Sequence, residues 1–331
     1  MKHWFKGLLA ILLTTSISAR ESFDEYLFAE EPKTTPEPWL TGPLLSPSGH
    51  VVPHGHQNYE PYVYWTQIKG SYDDHWKPHS SSTFNNVLYQ LTMQMGVLPD
   101  TEFDIAPQFS YNATKGEHTW RVSDLPITLA FQLLYDKMDN WSPGIKLRFG
   151  ANVPLGKYDH LNPDRLLTDA GGIGTWYPSV GVVFTRLHHI TGEQFFSWRA
   201  FFDYSIGTPV NVKGLSFYGG APSINGIKGT RGTVYPGNVF VFLAGFEYSL
   251  TQNWALALDV QYQHTQKRRF SGHSPAGTKP TFPSREFFAL APALEYNWSS
   301  NVGLIAGPWF TVAGRNALDF ISYVVAINVY N

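Results

Sequence analysis

The stretch WALALDVQYQ, residues 254–263, alternates strictly between two kinds of side chain. One face carries Trp254, Leu256, Leu258, Val260 and Tyr262, and the other carries Ala255, Ala257, Asp259, Gln261 and Gln263. Consecutive side chains of a β-strand point to opposite faces, so this period of two predicts a strand with one apolar face and one mixed face.

The same alternation recurs from residue 58 to the end of the chain, most clearly at 145–153, 196–206 and 321–329. Counting every such segment predicts about twelve strands. They lie near 58–69, 84–96, 102–112, 119–136, 143–154, 174–186, 194–207, 237–250, 253–266, 285–298, 301–312 and 317–330. Pro126 and Pro292 fall inside two of these segments, where each removes a backbone donor and marks either a bulge or a strand end.

The connections between these segments alternate in length. Long connections are expected at 70–83, 155–172, 208–236 and 267–284, and a medium one at 113–118, and short turns separate the other pairs, the last pair included. Short periplasmic turns that alternate with long external loops are typical of outer-membrane barrels. An even number of strands places both chain ends on the side of the short turns.

The composition of the 331-residue chain excludes several other classes of protein. Only 15% of residues are charged, against about 25% in ordinary soluble domains. Lys and Arg total 24, Asp and Glu total 26, and the net charge of −2 offers no basic surface for nucleic acid. The absence of cysteine excludes disulfides, thiolate nucleophiles and Cys-ligated metals.

The first 57 residues read as a targeting segment followed by an extended segment. Lys2 and Lys6 precede the apolar run GLLAILL and the small residues TTSISA, which predicts a cleaved signal peptide over residues 1–19. The apolar run is too short for a spanning helix, which needs about 20 residues. Residues 20–57 are rich in Pro, Glu, Thr and Gly, and are expected to form an extended periplasmic segment.

Three features favour a membrane barrel over a secreted β-sandwich, the alternative that alternation alone leaves open. The segments are longer than the about 5–6 residues of soluble strands, aromatic residues cluster near their ends, and their polar faces are rich in Gly, Ala and Ser. Only a closed sheet can span lipid, since every backbone amide needs a partner there. The predicted fold is all-β, a transmembrane antiparallel up-and-down barrel in the outer membrane of a Gram-negative bacterium.

Charged and amide side chains on the mixed faces are the candidate functional residues. A charge in the middle of the lipid face would cost about 2–4 kcal/mol, so these groups are expected to point into the lumen. The expected lumen-lining set is Lys146, Arg148, Arg199, Asp203, Glu247, Asp259, Gln261 and Gln263. They either line a solute pathway, where charge selects solutes, or form structural ion pairs.

Other motifs support no catalytic site. Lys267, Arg268 and Arg269 follow the ninth segment and are expected at the external rim, facing lipopolysaccharide phosphates or only water. His54 and His56 lack a third metal ligand nearby, and the Gly-rich run at 220–232 lacks the residues of a phosphate-binding loop. No Gly-x-Ser-x-Gly motif is present. We expect no enzyme, no metal and no cofactor.

Three stretches carry a likeness to a known family: VSDLPITLAFQLL (122–134), GIKLRFGANVPLGKYD (144–159) and GNVFVFLAGFEYSLTQNWALALDVQYQHTQK (237–267). Over residues 58–331 the chain resembles the outer-membrane β-barrel family of transporters assigned to the meta-pathway of phenol degradation. The resemblance implies a channel for small, hydrophobic or aromatic solutes.

The function hypotheses differ in whether the lumen is open. The first is a channel or transporter for small solutes, the second an adhesin-like structural barrel with a closed lumen, and the third a barrel enzyme such as a phospholipase. The expected partners are outer-membrane lipid and lipopolysaccharide, the barrel-assembly machinery and a small solute, with no nucleic acid.

Overall fold

The computed structural model describes residues 38–137 and 141–331. The predicted signal peptide and the first part of the extended segment lie outside the described residues. Within the described residues the chain is almost entirely β-structure, with a single 3-10 turn at Pro163–Arg165. None of the helical structure described is long and apolar enough to cross a membrane.

Twelve antiparallel strands close into a barrel, which confirms the predicted fold and strand number. The ring closes because β1 pairs with β2 on one side and with β17 on the other. Its strands are β1 (Gln57–Tyr72), β2 (Pro78–Leu98), β3 (Thr101–Ile105), β4 (Gln108–Thr114), β5 (Glu117–Val122), β6 (Leu125–Leu134), β7 (Gly144–Val153), β8 (Tyr177–Thr191), β9 (Gln194–Ser205), β12 (Val239–Ser249), β13 (Trp254–Thr265), β15 (Arg285–Asn297), β16 (Val302–Arg315) and β17 (Leu318–Tyr330). The pair β3 and β4 forms the third barrel strand, and β5 and β6 form the fourth.

The two predicted faces of the strands point as the alternation indicated. In β13, Trp254, Leu256 and Leu258 are exposed on the outer surface, while Ala257 and Asp259 are buried inside. Strand β17 repeats this, with Tyr323, Val325, Ile327 and Val329 outside and Val324 and Ala326 inside. The outward apolar side chains therefore form the surface that lipid would cover.

The wall is interrupted where proline or a bulge breaks the ladder. Strands three and four break at residues 106–107 and 123–124, and Pro126 is the second residue of β6. The break turns Asp124 inward, where its carboxylate accepts hydrogen bonds from the amides of Gly156 (2.9 Å) and Ile173 (2.9 Å). Between β15 and β16, pairing stops after Leu290 and resumes at Leu294.

The connections follow the predicted alternation, with two corrections at the external end. Strands β1 and β2 extend as a hairpin beyond the predicted segments, so the expected long loop at 70–83 is a turn of residues 73–77. Strands β4 and β5 likewise shorten the medium loop expected at 113–118 to residues 115–116. The reason is that polar residues beyond the membrane can still pair with each other, where alternation of hydrophobicity no longer marks a strand.

The remaining long connections fold over the external end. Strands β10 (Val210–Lys213), β11 (Arg231–Tyr235) and β14 (Arg269–His273) form a second, three-stranded sheet. Val210, Val212, Tyr218 and Val234 form its buried core, against which Tyr158, Ile173 and Phe270 pack. We call this structure the loop sheet. The Gly-rich run at 220–232, expected as an external loop, forms most of the connection from β10 to β11 and the first two residues of β11.

Candidate functional site

Residues 38–56, which we call the inner segment, lie inside the barrel at the end of the short turns. The segment has no helix or strand, and four prolines at 38, 43, 47 and 53 remove backbone donors from it. Its remaining amides have no ladder to join and must find acceptors on the wall, since a buried unpaired amide is costly. Wall side chains provide acceptors for five of them, the amides of Thr41, Leu45, Ser46, Val51 and Val52.

The first half of the segment is held by carboxylates of β13 and β15. The amide of Thr41 donates to Glu295 Oε2 at 2.9 Å, and the amides of Leu45 and Ser46 donate to the two oxygens of Asp259 at 2.9 and 3.1 Å. The Ser46 hydroxyl also donates to Asp259. Asp259 therefore accepts three hydrogen bonds from two consecutive residues, which makes it the main anchor of this half.

The second half is held from the opposite wall. The amide of Val51 donates to Gln132 Oε1 at 2.9 Å, and that of Val52 to Glu102 Oε2 at 2.7 Å. Lys146 Nζ donates to the carbonyl of His50 at 3.0 Å. Because its two halves are bound to opposite walls, the inner segment crosses the lumen.

His50 adds a contact to the short turn after β6. Its Nε2 lies 2.5 Å from Asp136 Oδ1, and the other carboxylate oxygen accepts from the Leu187 amide at 3.0 Å. Burial alone would raise the pKa of Asp136, but these hydrogen bonds outweigh it and lower the pKa below the usual aspartate value.

Two residues of the segment, Gly42 and Leu44, are packed closely against the wall. Gly42 has a φ of +106°, and a Cβ there would lie 2.7 Å from Arg199 Nη1. Leu44 is 2% exposed and packs into a cluster of wall residues that includes Ala257, Ala291 and Ile305. Small side chains on the wall leave room for Leu44, so the segment is seated by packing as well as by hydrogen bonds.

Three ion pairs lie beside the segment. Lys146 and Glu102, both fully buried, are 3.3 Å apart, Arg148 lies 3.4 Å from Asp104, and Arg199 lies 3.2 Å from Glu247. Several atoms of these groups have no hydrogen-bond partner among the described residues, including both oxygens of Glu247 and Nη1 of Arg148.

A cavity of about 290 Å³ lies between the inner segment and the wall. Its polar lining comes from β1 to β3, β6, β7 and β9 and carries charges of both signs. The wall residues are Glu60, Tyr62, Tyr64, Gln90, Thr92, Gln94, Asp104, Ala106, Pro126, Thr128, Arg148 and Arg199. A space of this size holds a small molecule, and the facing charges and hydroxyls could orient it.

The residues expected in the lumen occupy different positions. Arg148 and Arg199 line the cavity, Asp259 and Lys146 hold the inner segment, and Glu247 pairs with Arg199. Gln261 accepts a hydrogen bond from Trp309 Nε1 at 3.0 Å, and Asp203 accepts one from Ser205 at 2.8 Å. Gln263 is half-buried on the same face of β13.

The expected rim residues separate from one another. Lys267 and Arg269 are exposed. Arg268 is half-buried instead, with its guanidinium carbon 4.6 Å from the Tyr218 ring centre and 4.8 Å from that of Phe282.

Sequence reasoning missed the wall residues that receive the inner segment. Glu102, Gln132 and Glu295, together with Asp104 of the cavity wall, alternate with apolar neighbours just as the predicted lumen residues do, so the same signal could have found them. The role of the segment itself has no such signal, because its prolines and glycines fit an extended stretch in any location.

A cluster of possible metal ligands lies in the external turn of β1 and β2. Asp73, Asp74 and His75 offer ligand atoms within 4.8 Å of one another. Asp73 is hydrogen-bonded to His79 at 2.8 Å and to the amides of Lys77 and His75, which lower its pKa to about 2. These hydrogen bonds stabilise the turn, which explains why Asp73, Asp74 and His75 lie close together without a metal ion. His54 and His56 are exposed.

Comparisons with known proteins give a likeness of fold. No protein-family model matches the chain, and no curated protein sequence matches it. An outer-membrane channel from Pseudomonas putida F1 superposes with a TM-score of 0.65 at 11% identity, over 87% of this chain and 100% of that one.

Two further structures overlap more loosely. The transport unit of the autotransporter AIDA-I from Escherichia coli has a TM-score of 0.43 at 11% identity, covering 95% and 97% of the two chains. A deletion mutant of the monoaromatic hydrocarbon channel TodX has a TM-score of 0.42 at 12% identity, covering 85% and 91%. The superposition on the Pseudomonas channel supports an outer-membrane β-barrel fold, and the two looser overlaps carry no argument.

Proposed function

We propose that the chain is an outer-membrane channel for small solutes, and that the inner segment closes its periplasmic end. The observation that carries this proposal is the cavity between the segment and the wall, where Arg148 and Arg199 face Glu60 and Asp104. A barrel built only for support would fill this space with side chains, whereas a polar cavity in a lumen suits a passing solute.

The solute class of this proposal is a small hydrophobic or aromatic compound that also carries a polar group. The likeness of residues 58–331 to the phenol-degradation transporters supports the aromatic part. Tyr62 and Tyr64, whose rings stack 5.5 Å apart at the cavity wall, supply aromatic surface. The remaining lumen residues, Lys146, Asp203, Glu247, Asp259, Gln261 and Gln263, would shape the pathway and its charge. The protein would reach the outer membrane of a Gram-negative bacterium through a cleaved signal peptide and the barrel-assembly machinery.

A second candidate is a closed barrel with a surface role. The inner segment bound to both walls and the loop sheet at the external end both favour it. In that case the loops at 208–236 and 267–284 would bind envelope or host partners.

Conductance in planar lipid bilayers separates the two candidates. We expect the full chain to show rare or small openings, and a variant lacking residues 38–52 to show stable steps because its lumen is cleared. If the variant conducts no better than the full chain, the channel proposal fails.

Charge substitutions then test the pathway in the same deletion variant. Arg148→Ala and Arg199→Ala each remove a positive charge beside an acidic partner, so both should shift selectivity toward cations. Arg231→Ala, at an exposed position in the loop sheet, is the matched control and should leave selectivity unchanged. Unchanged selectivity in both lumen variants would contradict their assignment to the pathway.

A further inference from the structure

A second cluster of cations and aromatic rings lies at the external end of the barrel, below the loop sheet. Arg285 and Tyr177 are the first residues of β15 and β8. Arg285 lies opposite Thr265, on the same inward face as Asp259. Arg268 and Tyr218 come from the loops above. The guanidinium carbon of Arg268 lies 4.6 Å from the Tyr218 ring centre, and Arg285 and Tyr177 lie near enough for their charges to act on this pair.

The two arginines have no acidic partner. No carboxylate among residues 38–137 and 141–331 forms an ion pair with Arg268 or Arg285, whereas the inward-facing Lys146, Arg148 and Arg199 each have one. Burial lowers the pKa of Arg268, and the neighbouring charge of Arg285 lowers it further. Two guanidinium groups brought together in a partly buried place repel each other, so a bound anion would stabilise this arrangement.

Tyr218 supplies an unused donor at the same place. Its side chain is 2% exposed, and its hydroxyl has no hydrogen-bond partner within the described structure. Buried hydroxyls are almost always hydrogen-bonded, so this one points to a missing ligand. The Tyr177 hydroxyl already donates to the carbonyl of Gly237 at 3.1 Å, so only the ring of Tyr177 is available to contact a ligand.

Among the described residues, the carboxylate whose charge acts on Tyr218 is that of Asp124, and it already has hydrogen-bond partners. Asp124 accepts from two backbone amides and, at 3.1 Å, from Asn152 Nδ2. It holds the connection after β7 in place and leaves both arginines without a counter-ion.

We propose that Arg268, Arg285 and Tyr218 bind the carboxylate of a small organic anion at the external opening of the barrel. Guanidinium groups match the planar carboxylate with paired hydrogen bonds, and the Tyr218 hydroxyl donates a further one. The rings of Tyr177, Tyr218 and Phe282 would pack against an aromatic remainder of the ligand. As the place where a solute first binds, the site rests on the proposed channel function, but binding itself does not require conduction.

A lipid phosphate fits the site less well than a free solute. Arg285 and Tyr177 point into the barrel, away from the surface that lipid covers. An aromatic acid can reach them through the opening, whereas a phosphate anchored in lipid lies on the other side of the wall.

The test is calorimetric titration of the full chain in detergent with benzoate, with benzyl alcohol as the uncharged match and with inorganic phosphate. We expect benzoate to bind best. Arg268→Gln and Arg285→Gln should each weaken its binding about tenfold or more, and Tyr218→Phe about threefold. Arg231→Gln is the control and should have no effect. Arg268→Lys and Arg285→Lys keep the positive charge but lose the paired hydrogen bonds of a guanidinium. They replace the glutamine variants in the titration if a glutamine variant does not fold.

The outcomes are distinct from those of the conductance experiment. Three results would each overturn the proposed site. They are equal binding of benzyl alcohol, tighter binding of phosphate, and a benzoate affinity that is unchanged by both Arg268→Gln and Arg285→Gln. Benzoate binding that depends on both arginines, in a protein that never conducts, would support the site and contradict the channel.

Discussion

Asp259 shows how much a single wall residue can decide. It accepts the amides of Leu45 and Ser46 and the Ser46 hydroxyl, so its carboxylate replaces the ladder that these residues lack. Each buried donor left without a partner costs about 1–3 kcal/mol.

Removing this carboxylate should release one half of the inner segment. We expect Asp259→Ala to raise the open probability of the channel in planar bilayers well above that of the native chain. Gln263→Ala is the control, because Gln263 lies on the same face of β13 four residues after Asp259. It should behave as the native chain does. An Asp259→Ala protein that stays as closed as the native one would show that Asp259 does not hold the segment.

His50 and Asp136 make the docking of the second half depend on pH. The pKa of Asp136 is lowered in the folded state, so its contribution is present above the ordinary aspartate pKa and is lost as the pH falls through the lowered value. We therefore expect more frequent openings in strongly acidic solution than at neutral pH. Asp136→Asn should open at neutral pH and lose this acid dependence. Identical acid responses in the two proteins would contradict the role of Asp136.

At the scale of the element, the twelve residues of β13 show both faces of the barrel wall, the outward apolar face and the inward polar one. Leu258 faces outward and Gln263 inward, although both belong to one strand. The face, and not the residue's place along the chain, decides what a charge costs.

Arginine substitutions on the two faces should therefore differ. Leu258→Arg should lower the free energy of unfolding in lipid vesicles by about 2–4 kcal/mol if it lies near the middle of the bilayer. Gln263→Arg should change it much less, because its guanidinium would enter the polar interior. Urea titration followed by tryptophan fluorescence measures both, and equal losses would refute the assignment of faces.

At the scale of the whole molecule, the inner segment should be lockable in place. The chain has no cysteine, so an introduced pair has no competitor. A Cβ at Gly245 would lie 2.9 Å from Ser46 Cβ, somewhat under the about 3.5 Å at which disulfides begin, a difference that small shifts of the segment can absorb.

We expect Ser46→Cys with Gly245→Cys to form a disulfide on oxidation. The oxidised protein should give no openings, and reduction should restore the openings of the Ser46→Cys protein, which lacks the Ser46 hydroxyl bond to Asp259. Ser46→Cys alone is the control and should not respond to reductant. Failure of the pair to cross-link while the barrel remains folded would place the segment elsewhere.

Much of the fold could be predicted because the alternation of apolar and polar residues within each strand marks its two faces. Trp254 to Gln263 specify two faces without reference to any other strand, and the short turns specify which strands are neighbours. Lipid enforces both, since it accepts apolar side chains and forbids unpaired backbone, so a closed barrel follows. The same rule placed Arg148 and Arg199 inside, and it applies equally to Glu102 and Glu295.

The tertiary structure alone decided what fills the lumen. Thr41 meets Glu295 across 254 positions of the chain, and Val52 meets Glu102 across 50. Such contacts have no local period, and a Pro- and Gly-rich segment has no strand pattern to reveal its neighbours. The pairing of Arg199 with Glu247 and the isolation of Arg268 and Arg285 are likewise set by which strands and loops come together. Alternation predicted that Arg199 and Glu247 point inward, but only the closed barrel and its loops determined which charges have partners.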